Sequence, residues 1–184
     1  MEAIIAIDIK NGLSKNGVIP WKSKRDMQFF YQKTKNNIVI MGKNTYFSIP
    51  EENRPLKNRL NIVLTREPKN HILTAITEKY TDILFTDDDT IDENIMANRE
   101  KYNEQYPSLS SNFKIYIIGG KQIYDAYIPL CETVWLTTIK CDYSCDLYFD
   151  VDMQKQFKEY LSQEDDELKI VEYRKNARSW RYDE

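Results

Sequence analysis

Lys114-Ile-Tyr-Ile-Ile-Gly-Gly-Lys-Gln-Ile-Tyr124 decides how this chain is read. Lys114 to Ile118 is apolar, β-branched and strand-length, too short for a helix. Gly119-Gly120 stops it, and a helix from about Lys121 to Tyr127 follows. A strand running through glycines into a helix start presents free backbone N–H groups to an anion. The spacing is not G-x-G-x-x-G, so a standard Rossmann site is not indicated, and a tight structural turn is the competing reading.

The same arrangement recurs upstream. Asn37 to Met41 reads as a buried strand ending at Gly42, followed by a helix start carrying Lys43, Asn44 and Thr45. Leu60 to Thr65 reads as another strand, closed by Arg66. Only five glycines occur, where average usage gives about 13, so their placement at strand ends is informative. Ligands of open α/β sheets bind beyond those ends. Glycines, cations and hydroxyls at three of them suggest one phosphate-rich ligand, such as a nucleotide with an extra phosphate. Taken singly, Lys43 and Arg66 read as solvated surface charges, as most such cations are.

Around this centre the chain alternates. Met1 to Ile9 reads as a strand, and a polar loop follows, ending in Pro20-Trp21. Ser23 caps a helix over Lys24 to Thr34. Ile83 to Thr86 is a further strand, and one polar helix is expected from about Ile91 to Tyr102. Thr133 to Ile139 is a strand, and Phe157 to Ser162 with Leu168 to Arg174 form a strand pair about an acidic turn. The expectation is an α/β fold in a single domain over residues 1–184, with a mainly parallel sheet and an antiparallel edge.

Composition narrows the function. The 184 residues carry 26 Lys and Arg against 29 Asp and Glu, a net charge of −3, which gives nucleic acid or an anionic membrane no electrostatic support. No apolar run is long enough to span a bilayer, and no secretory signal is visible, so a cytoplasmic chain is expected. Three cysteines, Cys131, Cys141 and Cys145, do not make a disulfide framework, and with the single His71 they do not make a structural zinc set. One histidine also removes most Ser-His-Asp chemistry, which leaves a carboxylate or a water as the proton-active group. Asp26 is the candidate. On a helix it shares a face with Phe29 and Phe30, and partial desolvation there raises a carboxyl pKa. Ser23-x-x-Asp26 also matches a capping box, in which the acid merely returns a hydrogen bond to the helix start.

Taken together, these segments resemble dihydrofolate reductase over most of the chain. Ala6-Ile-Asp-Ile-Lys-Asn-Gly-Leu13 and Asn16-Gly-Val-Ile-Pro-Trp21 resemble the family's first strand and mobile loop, with Asp26 five residues beyond as its active-site acid. Val39-Ile-Met-Gly-Lys-Asn-Thr-Tyr46 resembles the second motif, Pro55-Leu56 with Arg59-Leu-Asn61 the folate-tail segment, and Ile117 to Tyr124 the Gly-Gly motif, whose linking peptide is cis in the family. Leu136-Thr137 and Asp146 to Phe149 fit the last blocks.

The resemblance implies an about eight-stranded sheet flanked by about four helices, and an NADPH-dependent enzyme reducing 7,8-dihydrofolate to 5,6,7,8-tetrahydrofolate. That product serves one-carbon metabolism and thymidylate and nucleotide synthesis. Asp26 would hold the pterin, with Thr137 behind it, and Trp21 and Tyr124 beside the reacting centre. Ile4, Ala6, Met27, Phe30, Ile49 and Leu56 would wall the pterin and benzoyl pocket, and the Ile118 main chain would meet the pterin edge. Arg59 would take the glutamate α-carboxylate. For NADPH the carry-over gives Ala6, Leu13, Gly42, Lys43, Asn44 and Thr45; Leu64, Thr65 and Arg66; and Gly119, Gly120, Lys121, Gln122, Ile123 and Tyr124. It implies a monomer acting on small molecules, dihydrofolate and antifolates, with no metal.

The chain departs from the pattern at Ser14, where a second glycine is common, at Lys22 to Lys24, which lacks the usual proline, and at Asp150, where proline is usual. Residues 87–112 are longer and more polar than a minimal member needs, and the tail 176–184 with Trp180 reads as a surface extension. Two other readings compete with this one. A riboflavin-pathway reductase shares the fold but has a substrate with no glutamate tail, which leaves Arg59 unexplained. A non-catalytic descendant leaves Asp26, Trp21 and Thr137 unexplained.

Overall fold

The computed structural model describes residues 1–177. Residues 178–184, most of the tail expected to be a surface extension, lie outside them. In chain order the elements are β1 (Glu2–Asp8), β2 (Gly12–Ser14), α1 (Lys24–Thr34), β3 (Ile38–Gly42), α2 (Lys43–Ser48) and β4 (Leu60–Leu64). Then come α3 (His71–Lys79), β5 (Ile83–Thr86), α4 (Ile91–Ala97), α5 (Arg99–Gln105), β6 (Ile115–Ile117) and α6 (Lys121–Tyr127). The chain closes with β7 (Thr133–Ile139), β8 (Leu147–Tyr148), α7 (Met153–Gln156), β9 (Phe157–Glu164) and β10 (Leu168–Lys175).

Eight strands form one sheet in the order β5-β4-β3-β6-β1-β7-β10-β9. The run from β5 to β7 is parallel throughout, and β10 pairs antiparallel with both β7 and β9. The parallel strands are apolar on both faces because both are covered, as parallel sheets require. Ala3, Ile5 and Ile7 of β1 face one way, with Ile40, Ile62 and Ile117, onto Ile91 and Ile95 of α4 and Tyr124 and Tyr127 of α6. Ile4, Val39, Met41 and Val63 face the other way, onto Phe29 and Phe30 of α1, Tyr46 of α2 and Leu73 of α3. Among the described residues no helix is long and apolar enough to cross a membrane.

Three differences from the sequence reading have local causes. The helix expected over Ile91 to Tyr102 is two, parted at Asn98, whose N–H donates to the carbonyls of both Asn94 and Ile95. A further helix, α3, is capped by the Asn70 side chain, which accepts from the Ile72 N–H. With the four-residue α7 also unforeseen, the α-helices number seven among the described residues, five of them of seven or more residues, where about four were expected. The sequence reading also lacks the small β2–β8 pair, which joins the loop after β1 to the segment before Phe149.

Candidate active site

The parallel strands bring Gly42, Leu64 and Ile118 to one edge of the sheet. The Gly42 N–H donates to the Gly119 carbonyl at 2.8 Å, so the ends of β3 and β6 are tied side by side. Gly119–Gly120 is a cis peptide, and Gly119 has φ 110°, a region that favours glycine. A Cβ on Gly120 would lie 3.0 Å from the Thr45 hydroxyl, and one on Gly119 would lie 3.1 Å from the Tyr124 ring. Both glycines are needed because backbone passes under side chains at close range.

A groove of about 1140 Å³ opens at this edge. Ala6, Leu13, Gly42, Lys43, Asn44, Thr45, Leu64, Thr65 and Arg66 line it, as do Gly119, Gly120, Lys121, Gln122, Ile123 and Tyr124. These are all the residues that sequence reading assigned to the dinucleotide. Lys43 and Arg66 form no ion pair among the described residues, whereas Lys121 is paired with Asp125 at 3.2 Å and Asp150 at 2.5 Å. Two unpaired cations, a hydroxyl and uncapped helix starts at Gly42 and Gly120 fit a dinucleotide with an additional phosphate. Sequence reading missed the acidic groups on the same wall, Glu67, Asp87 and Asp89, together with Gly17 to Ile19 and Leu147. The switch-point rule that selected Arg66 after β4 also selects Asp87 after β5, the neighbouring strand end.

Asp26 belongs to α1, whose N-cap Ser23 Oγ accepts the Asp26 N–H at 3.2 Å. That is half of a capping box. The Asp26 carboxyl instead lies by the buried Thr137 side chain of β7, whose hydroxyl favours its ionised form. Burial is the largest influence and raises the Asp26 pKa; Thr137 opposes it and the Glu167 charge adds to it, for a value of about 6 against the ordinary 3.8. Tyr124 is buried close enough to feel the Asp26 charge, and its hydroxyl donates to the Ile4 carbonyl at 2.9 Å. Ile4, Phe30, Ile49, Leu56 and Ile118 all belong to one apolar cluster. Ala6 and Trp21 meet in another, with Phe29 in both. Met27 is 65% exposed, the only one of the expected wall residues turned so far outward.

Arg59 lies deeper than its charge leads one to expect, at 6% exposed. Its Nη1 donates to Thr34 Oγ1 at 3.1 Å and its Nε to the Lys57 carbonyl at 2.9 Å. The rings of Phe30 and Tyr31 lie 5.7 and 5.4 Å from the guanidinium. It has no carboxylate partner among the described residues, which suits it to an incoming one. Asn61, fully buried, fixes the turn before it by accepting the Leu56 N–H and donating to the Leu56, Arg59 and Asp82 carbonyls.

The native protein holds the Asp26 proton more tightly than the unfolded chain does. Its contribution to stability is therefore fully present below about pH 4 and lost as pH rises through about 6. Asp26→Asn, which removes the buried charge, is expected to raise the melting temperature at pH 8 by roughly 5 °C once partial solvent access is allowed for. Calorimetry should show the gain shrinking toward pH 4.

A dihydrofolate reductase of Enterococcus faecalis, solved in complex with NADP(H) and RAB-propyl, superposes with a TM-score of 0.70 over 96% of each chain at 22% identity, which shows the fold. A putative dihydrofolate reductase of Caenorhabditis elegans is 36% identical over 168 residues, 86% of this chain and 82% of that one. The dihydrofolate reductase of Sus scrofa is 32% identical over 169 residues, 84% and 82% of the two chains. With the family model for dihydrofolate reductase matching residues 1–180 as well, the chain belongs to the dihydrofolate reductase family.

Proposed function

We infer that this chain is an NADPH-dependent dihydrofolate reductase, which reduces 7,8-dihydrofolate to 5,6,7,8-tetrahydrofolate for one-carbon metabolism and nucleotide synthesis. The observation that carries the assignment of roles is the half-buried acid Asp26, backed by Thr137, beside a dinucleotide-sized groove. NADPH, when bound, supplies the hydride. Lys43 and Arg66 would hold its extra phosphate, and the backbone at Gly119 and Gly120 allows the close approach that a side chain would block.

Asp26 accepts hydrogen bonds from the pterin 2-amino group and N3, and its raised pKa lets it favour a proton at N5. Thr137 fixes the direction of the carboxyl. Trp21, 6% exposed and packed against Tyr143, limits water to this end of the crevice. Ile4, Phe30, Ile49 and Leu56 give the heterocycle and benzoyl ring an apolar lining, and Arg59 takes the α-carboxylate of the tail in a bidentate pair. The Arg59 pocket favours this substrate over a tail-less pyrimidine.

The chain is proposed to act as a monomer on small molecules, with antifolates competing for Asp26. Its three unpaired thiols suit a reducing, cytoplasmic setting. The test is direct: purified protein with NADPH and dihydrofolate should lose the reduced-nicotinamide absorbance in step with tetrahydrofolate formation. Absorbance that stays constant with both ligands bound would overturn the reading.

A further inference from the structure

Asp8, at the C-terminal end of β1, takes no part in the chemistry above, yet it is 0% exposed. A buried carboxylate is tolerated only when its lone pairs are filled. Here Oδ1 accepts the Lys10 N–H at 2.9 Å and the Gly12 N–H at 2.8 Å, and Oδ2 accepts the Tyr143 N–H at 3.0 Å. The Cys145 side chain lies beside the carboxyl. Burial alone would raise the Asp8 pKa, but the three amides reverse this and hold the carboxyl ionised. The fit is tight: a Cβ on Gly12 would lie 2.4 Å from Cys145 Cβ and 2.9 Å from Asp8 Oδ1.

These contacts lie at both ends of one loop. Lys10 and Gly12 begin the segment that leads to Trp21, and Leu13, Ser14 and Gly17 to Ile19 within it line the dinucleotide groove. Tyr143 belongs to the segment after β7, and its ring lies 5.6 Å from that of Trp21, at the loop's far end. The loop has a second tie, from the Asn16 N–H to Asp146 Oδ2 at 2.8 Å, but that one is exposed to water and correspondingly weaker.

We propose that Asp8 is a positioning residue for the reaction: one buried carboxylate clamps the start of the loop over 9–20 to the segment that supports Trp21, and so holds the loop against the dinucleotide groove. The proposal rests on the reading of that groove as the NADPH site. Asn at position 8 keeps the shape but offers one acceptor and one donor, so either the Lys10 and Gly12 amides or the Tyr143 amide must face an N–H group.

The experiment is Asp8→Asn, with Gly12→Ala as a second variant that strikes the same clamp without altering the acid. In the ligand-free proteins, amide hydrogen exchange should accelerate together in residues 9–20 and 141–146. The dissociation constant for NADPH should rise about tenfold, while that for dihydrofolate stays within about twofold. A lower melting temperature with loop exchange and NADPH affinity unchanged in Asp8→Asn, or in Gly12→Ala if Asp8→Asn does not fold, would make Asp8 a stabiliser of β1 only and overturn the proposal. Wild-type protein that failed to bind NADPH would contradict the functional reading instead, whereas the exchange measurement reports on the clamp alone.

Discussion

Asp26→Asn is expected to lower turnover of dihydrofolate by about 10³-fold at pH 7, while the NADPH dissociation constant stays within about twofold. Asparagine keeps the size of the side chain and one acceptor but carries no charge to stabilise a protonated pterin and no proton of suitable acidity. The groove that holds the dinucleotide is built from the ends of β3, β4 and β6 and does not depend on the acid. The Ser23 cap is also untouched, because it uses the Asp26 backbone N–H. Steady-state kinetics with separate NADPH titration checks both halves, and a tenfold or smaller loss of turnover would move the proton chemistry to another group.

Arg59→Leu should raise the KM for dihydrofolate about 10²-fold, the value of a desolvated bidentate ion pair, with kcat changed little. Its guanidinium is buried among Phe30, Tyr31 and Thr34 without an anionic partner among the described residues, so the folded protein maintains an unbalanced charge there. Leucine relieves that cost, and the variant should be no less stable than the parent. A dihydropterin lacking the glutamate tail separates recognition from chemistry: its KM should be the same in both proteins. An equal loss with both substrates would place Arg59 in a purely architectural role.

The parts of the fold that the sequence makes legible are those where burial leaves little choice. Ala3 to Ile7 and Ile38 to Met41 are apolar on both faces because both faces of the parallel sheet are covered, and glycine stops are conspicuous in a chain with five glycines. α1 is legible because Ser23 caps it and Phe29 and Phe30 mark its inner face. α3 was missed because its apolar stripe is thin, with Leu73 alone fully buried and the rest supplied by tertiary packing. The break at Asn98 is a backbone event between two polar stretches, with no proline or glycine to announce it.

The site divides in the same way. Residues that carry distinctive chemistry just beyond strand ends or on the helices that follow them, such as Arg66, Thr45 and Tyr124, could be read from their neighbours. Asp8 could not, because in the sequence it is one polar residue near the end of an apolar strand. Its importance comes from Tyr143 and Cys145, brought to it only when β7 lies beside β1. Asp87 and Asp89 were likewise hidden in an acidic run that reads as solvated loop. Met27 shares a helix with Asp26, yet packing turns it toward solvent.

The most direct test of the assigned acid is the pH dependence of hydride transfer, followed in a single turnover from pH 5 to 9. With the Asp26 pKa at about 6, the protonated fraction, and with it the rate, should fall about tenfold per unit well above that value. Asp26→Asn should be slow throughout and lack that dependence. A wild-type rate and a variant rate that follow the same pH profile would contradict the account.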